Sequence, residues 1–103
     1  MTAYIVDTVQ VRPSDLAAYV ALVHDVAVPV MTGAGASFVS CLATSPDLRE
    51  DVDVQVTWSF RDHVEWNDIR KNLVLDRAWH DLARRAAALR TGGTRRFYYP
   101  AKV

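Results

Sequence analysis

The stretch Val52-Asp53-Val54-Gln55-Val56-Thr57-Trp58-Ser59-Phe60 decides the fold of this 103-residue chain. Its even-numbered residues are all large and apolar, and its odd-numbered residues are all polar. Because successive side chains of a β-strand point to opposite faces of the sheet, this alternation predicts a strand with one buried face. The polar face carries an acid, an amide and two hydroxyls. The other predicted strands of this chain have apolar residues on both faces, so the sheet needs a second cover, which is either a partner subunit or a wet pocket.

Three further stretches predict strands. They span 3–11, 36–44 and 94–99, where β-branched and aromatic residues are concentrated. The second of them is expected to close in a turn at Ser45-Pro46-Asp47, since proline and aspartate favour turns. With the alternating strand, these stretches predict a small sheet.

A first helix is predicted between the first two strands. It follows Pro13, with Ser14 as its N-cap, and apolar residues recur at helical spacing from position 16 to position 30. Pro29 is expected to disturb the last turn because proline lacks an N–H group. Glycine at position 35 is expected to help end the helix.

A second helical region, divided into two parts, is predicted after the alternating strand. Asp62, with Glu65 three residues later, resembles a capping box at its start. A break is expected around 71–72, with Asp76 as the N-cap of the second part. Gly92-Gly93 is expected to end that part, since glycine tolerates the left-handed cap conformation.

The element order is therefore β-α-β-β-α-β within one domain that spans residues 1–103. Helices that follow alternate strands pack on one face of a four-stranded antiparallel sheet. This order predicts the ferredoxin-like α+β fold. Half of the residues are hydrophobic, which is enough for one core without help from a metal or a disulfide.

Composition indicates which classes of partner and which cellular compartment to expect. Basic and acidic residues are equal in number, so no basic excess points to nucleic acid. Cys41 is the only cysteine, which rules out an intrachain disulfide and fits a reducing cytoplasm. No leader peptide is visible, and no apolar run is expected to reach the length of a membrane span. We therefore predict a cytoplasmic protein that contacts neither nucleic acid nor membrane.

Four short stretches carry a resemblance to NIPSNAP-like proteins: 4–13, Val56-Thr57-Trp58-Ser59-Phe60, Asp76-Arg77-Ala78-Trp79 and Arg95-Arg96-Phe97-Tyr98-Tyr99. The resemblance implies the dimeric α+β barrel superfamily, in which two ferredoxin-like sheets pack face to face. It therefore implies a homodimer. Relatives in that superfamily include cofactor-free monooxygenases, polyketide cyclases, small isomerases and haem proteins. The resemblance carries over the fold and no catalytic residue.

His24 is the first candidate for catalysis. A constant 100° step places it about 80° from the centre of the apolar stripe, where an imidazole can face a pocket between helix and sheet. Histidine is a suitable general base near neutral pH. The alternative is a structural histidine at the helix edge. His63 and His80 are expected on the surface, and no histidine pair has metal-ligand spacing, so neither metal nor haem is expected.

Asp7 is the second candidate because it shares a strand face with Ile5 and Val9. An acid among apolar neighbours is costly to bury unless it is paired. Two interpretations remain open for Asp7. It forms a structural ion pair with a basic residue such as Arg95, or it is a carboxylate in a ligand pocket.

Several aromatic side chains are candidates for the wall of a pocket that holds a flat apolar ligand: Tyr4, Trp58, Trp66, Trp79 and Phe97. The leading hypothesis is a small enzyme without cofactor, of cyclase or isomerase type, in which His24 moves a proton on an aromatic or polyketide-like molecule, with Asp7 assisting. A cofactor-free monooxygenase of the antibiotic-biosynthesis type is the second hypothesis. A ligand-binding or structural dimer without turnover is the third.

Overall fold

The computed structural model describes residues 2–45 and 50–101. Its strands are β1 (Ala3–Val11), β2 (Ser37–Ala43), β3 (Val52–Phe60) and β4 (Arg90–Tyr98), and its helices are α1 (Pro13–Ala34), α2 (His63–Val74) and α3 (Arg77–Leu89). The sheet is antiparallel with the order β2-β3-β1-β4. This is the predicted ferredoxin-like α+β fold. The predicted turn at Ser45-Pro46-Asp47 falls mostly outside the described residues.

The alternating strand β3 has the predicted bounds, and its apolar face is buried. Trp58 is 3% exposed and Val54 is fully buried, whereas Asp53 and Gln55 on either side of Val54 are exposed. Trp58 pairs with Ile5 of β1, which is also fully buried. We call this buried side, which the helices cover, the helix face. We call the opposite side, which carries Gln55 and the other odd-numbered residues of β3, the open face.

Helix α1 begins and bends differently from the prediction. It starts as a 3-10 turn over Pro13–Asp15 without a side-chain cap, so the prediction of Ser14 as N-cap is wrong. Pro13 itself fixes the first turn, and Ser14 already lies inside it. A π-helical turn occupies Val23–Ala27 directly before Pro29, whose missing N–H group cannot complete the α-helical ladder there. Gly35 ends the helix with a φ of 116°.

Helix α1 is more apolar than expected from the sequence. The helix has 22 residues, and an 18-residue window within it has a mean hydropathy of 1.5, so its length and composition alone would allow a membrane span. The expectation that no apolar run reaches that length is therefore wrong. The side chains of one face are buried against the sheet and give a packing reason for this hydropathy: Tyr19, Leu22, Val23, Ala27 and Met31.

The second helical region is divided at Leu75 and not at 71–72. Leu73 is 1% exposed, so α2 continues past the predicted break and buries it. The two predicted N-caps are confirmed. The Asp62 carboxylate accepts a hydrogen bond from the Glu65 N–H at 2.9 Å, and the Asp76 carboxylate accepts one from the Ala78 N–H at 2.8 Å.

Helix α3 passes into β4 without a turn. Arg90 is already extended, with φ −87° and ψ 146°, and both glycines lie inside the strand. The prediction that Gly92-Gly93 ends the helix is therefore wrong. These glycines allow close approach of β1: a Cβ at Gly92 would lie 3.0 Å from the side-chain oxygen of Gln10, and one at Gly93 would lie 3.2 Å from the Thr8 carbonyl oxygen.

Candidate functional site

A cavity of about 310 Å³ lies between the helix face of the sheet and helices α1 and α3. Small-molecule pockets measure roughly 300–1,000 Å³, so this one suits a compact ligand. Aliphatic and aromatic side chains make most of the wall: Val9, Leu22, Val23, Ala27, Met31, Val56, Trp58, Trp79, Leu82, Ala83 and Ala86. Charged and polar side chains are the minority of the lining: Asp7, Tyr19, Arg90, Thr94 and Arg95.

Asp7 and Arg95 form an ion pair in the wall of the cavity. They lie opposite each other on β1 and β4. The guanidinium donates two hydrogen bonds to the carboxylate, from Nε to Oδ1 at 2.6 Å and from Nη2 to Oδ2 at 3.0 Å. The predicted pairing with Arg95 is confirmed. Asp7 also lines the cavity. The two interpretations that the sequence leaves open for Asp7, an ion pair and a place in a pocket, therefore both hold.

Arg95 is held from a second side. Its guanidinium carbon lies 5.7 Å from the ring centroid of Trp66, a distance at which a cation is attracted to an aromatic face. The side chain of Asp7 is 20% exposed and that of Arg95 is 37% exposed. Two contacts therefore orient Arg95, and Arg95 in turn orients the carboxylate of Asp7 within the cavity wall.

Tyr19 brings a phenol to the cavity from α1. It is 7% exposed. Burial raises the pKa of Tyr19, and the negative charge of Asp7 raises this pKa further. The phenol is therefore a protonated hydrogen-bond donor at neutral pH. The sequence analysis missed Tyr19. The available signal was its position four residues before Val23, on the apolar stripe of α1.

His24 does not line the cavity. It is exposed, and its ring meets the edge of Phe38 with 5.9 Å between ring centroids. The predicted position facing the pocket is therefore wrong. The reason is that Tyr19 and Leu22 form the buried face of α1 ahead of His24, whereas Leu16 and Val20 are only half-buried. A 100° step places His24 about 140° from Tyr19 and about 160° from Leu22, away from that face. The catalytic role of His24 stays a prediction.

The five aromatic candidates divide into three groups. Trp58 of β3 and Trp79 of α3 line the cavity, as expected. Trp66 and Phe97 contact each other near the end of the sheet, with 5.8 Å between ring centroids, and neither lines the cavity. Tyr4 pairs with Ser59 and lies on the open face. Trp66, Phe97 and Tyr4 do not line this cavity, and their contact with a ligand stays a prediction.

The remaining histidines and the thiol lie elsewhere. His80 is exposed, as predicted, and its Nε2 is 2.7 Å from the Val74 carbonyl oxygen. His63 is also exposed and hydrogen bonds to the Tyr99 hydroxyl. Cys41 is half-buried, and burial raises the pKa of its thiol, which disfavours the nucleophilic thiolate. Within residues 2–45 and 50–101, no three side chains of His, Cys, Asp or Glu type form a group suited to a metal ion.

Comparison with known proteins establishes similarity of fold. No family model matches the sequence, and no curated protein is similar to it in sequence. A NIPSNAP family protein from Agrobacterium tumefaciens superposes with a TM-score of 0.79 at 16% identity, over 98% of this chain and 94% of that chain. A NIPSNAP domain protein from Burkholderia xenovorans gives a TM-score of 0.78 at 19% identity, over 98% and 95% of the two chains.

An enzyme shares the fold more distantly. A variant of a cofactor-independent oxygenase from Streptomyces nogalater superposes with a TM-score of 0.66 at 14% identity, over 99% of this chain and 95% of that chain. The predicted resemblance to NIPSNAP-like proteins is thus confirmed for the fold. At these identities the comparisons show similarity of fold alone.

Proposed function

We propose that this protein is a cofactor-independent enzyme of cyclase or isomerase type. It binds an apolar aromatic or polyketide-like molecule in the cavity and removes a proton from it. The observation that carries the proposal is the Asp7 carboxylate, which Arg95 fixes in the wall of a largely apolar cavity beside Trp58. A positioned base and a shaped cavity are sufficient for such proton transfers.

Three of the polar groups in the cavity wall have distinct roles in this scheme. Asp7 accepts a proton from a carbon next to a ketone, and the negative charge passes to the enolate oxygen. The Tyr19 hydroxyl donates a hydrogen bond to that oxygen, and Arg95 supplies positive charge in the same cavity. Because one negative charge moves among fixed donors, no new net charge appears in the apolar site. Return of the proton to a different atom completes an isomerisation, and Asp7 replaces His24 as the base.

A cofactor-free oxygenase is the second candidate, and it shares the first step. The likeness of fold to the cofactor-independent oxygenase from Streptomyces nogalater favours it. In this reaction the carbanion left by proton removal reacts with O₂. One oxygen atom becomes the new carbonyl oxygen of the product, and the other leaves in water with the two hydrogens of the former methylene group.

Anthrone, a tricyclic ketone with an acidic methylene group, tests both candidates. We expect the protein to accelerate exchange of that methylene with solvent deuterium, followed by NMR under nitrogen, above the rate in buffer. Repeating the reaction in air with an oxygen electrode separates the two reactions. Oxygen uptake that matches quinone formation indicates the oxygenase, and exchange without uptake indicates the isomerase. Binding of anthrone without accelerated exchange would contradict the proposed enzyme and would leave a ligand-binding protein.

We also propose that the open face joins two copies of the chain in a homodimer, as the resemblance in the sequence implies. Val6 and Thr57 lie opposite each other on the two central strands and are both only half-buried in one chain. A second copy packed on the open face would bury them. In a two-fold dimer the same surface of each copy packs against the other.

The variant Val6→Arg tests the dimer. The new guanidinium would lie beside Arg96, the residue that pairs with position 6 on β4. Each copy of the chain would contribute one such guanidinium, and both would be buried without partners at the interface. We expect the dimer dissociation constant to rise by about 100-fold or more. Sedimentation velocity at micromolar concentration measures it. The matched control is Val64→Arg on α2, where the valine is 67% exposed. A monomeric wild type, or equal behaviour of the two variants, would argue against this interface.

A further inference from the structure

The charges of the cavity do not balance. Its charged lining residues are Asp7, Arg90 and Arg95. Asp7 and Arg95 neutralise each other through two hydrogen bonds. Arg90 is exposed, and no carboxylate of the residues that the structure describes lies within salt-bridge distance of it. The described lining therefore carries one positive charge in excess.

We infer that the ligand of this cavity carries one anionic group, such as a carboxylate, and that Arg90 binds this group. The inference rests on the proposed function, because it concerns the ligand of the same cavity. It adds the class of substrate: a compact aromatic or polyketide-like acid, bound as its monoanion. The apolar body lies against the tryptophans, and the acid group lies beside Arg90.

The backbone places Arg90 for this role. Helix α3 ends at Leu89 and β4 begins at Arg90, so no flexible loop separates the residue from the packed elements on either side. Arg90 pairs with Val11 of β1, a fully buried residue of the helix face. The side chain of Arg90 thus extends from a fixed backbone position at the edge of the cavity. A planar guanidinium offers two parallel donors, which suit a carboxylate.

The other polar groups leave Arg90 as the anion-binding residue. Both carboxylate oxygens of Asp7 engage Arg95, so the Arg95 charge is already compensated. Tyr19 contributes a donor without charge. A ligand with two acid groups would exceed the single excess positive charge, whereas a neutral ligand would leave it uncompensated. Complementarity of charge therefore favours a monoanion over both.

Two probes of nearly equal shape test the inference: naphthalene-2-carboxylate and naphthalene-2-carboxamide. Calorimetric titration of the wild-type protein should show about tenfold tighter binding of the carboxylate, a modest ratio because Arg90 is exposed. In Arg90→Gln the ratio should fall to about one, with the affinity for the amide changed by no more than about twofold. The control Arg84→Gln also removes one positive charge, from the helix α3 that precedes Arg90. Arg84 is exposed and pairs with Asp81, so its variant should keep the wild-type ratio.

The outcomes separate this inference from the proposed enzyme. Equal binding of the two probes to the wild type would overturn the role of Arg90 and leave the proton transfer by Asp7 standing. A loss of the ratio in Arg84→Gln as well as in Arg90→Gln would also overturn it, because the effect would then follow net charge. Selective binding of the carboxylate without turnover of any ketone would support the inference and contradict the enzyme. Failure of both probes to bind at millimolar concentration would contradict both.

Discussion

The variant Asp7→Asn is expected to lose between about 100-fold and 10,000-fold in turnover, the usual contribution of a general base. An amide has nearly the shape of the carboxylate but cannot accept the proton. It also loses the charge that faces Arg95 across two hydrogen bonds. The rate of deuterium exchange into anthrone measures the loss. Thermal denaturation of the same sample shows whether the variant is folded.

Two further variants make the result specific to Asp7. Asp68→Asn removes one carboxylate from the exposed surface of α2 and should leave turnover within about twofold. The variant His24→Ala removes the other candidate base, which lies outside the cavity. Turnover that survives in a folded Asp7→Asn but disappears in His24→Ala would transfer the role of base to His24 and reject the scheme above.

The variant Leu73→Ala is expected to lower the free energy of unfolding by about 2–5 kcal/mol, the range for leucine removed from a core. Leu73 is 1% exposed and lies in the last turn of α2, where it belongs to the core cluster. Urea denaturation at one fixed protein concentration measures the change, since dimer formation would make stability depend on concentration.

Leu75 provides the matched control for Leu73. It lies two residues further along the chain and is 87% exposed. The change Leu75→Ala removes the same atoms and should alter the free energy of unfolding by less than about 0.5 kcal/mol. Similar losses in both variants would mean that α2 does not pack as described. The comparison therefore tests the helix register directly.

Structural features can be predicted from the sequence where a local pattern of residues allows only one structural interpretation. The bounds of β3 could be predicted because strict alternation over Val52–Phe60 has no helical interpretation. The pairing of Asp7 with Arg95 could be expected because an acid on an apolar face needs a partner on a neighbouring strand. Both inferences depend on periodicity and on the cost of burying charge. These properties are local to a strand and to its immediate neighbours.

The remaining features depend on geometry that one sequence does not display. The position of His24 depends on which face of α1 packs on the sheet, and that face carries Tyr19 and Leu22 rather than Leu16 and Val20. The division of the tryptophans between the cavity and the end of the sheet depends on how the helices lie across the sheet. Gly92 lies inside a strand because β1 approaches closely, and the same residue type ends helices elsewhere.

The placement of the lining residues has an evolutionary consequence. The ion pair between Asp7 and Arg95 sits on neighbouring strands, whereas Ala83 and Ala86 line the cavity from a helix. Larger or smaller side chains at the two alanines would reshape the cavity without moving the charged pair. Mutation and selection can therefore change which molecules such a domain accepts while its reactive groups stay constant. The two alanines are the positions at which we expect substrate range to diverge between descendants of this chain.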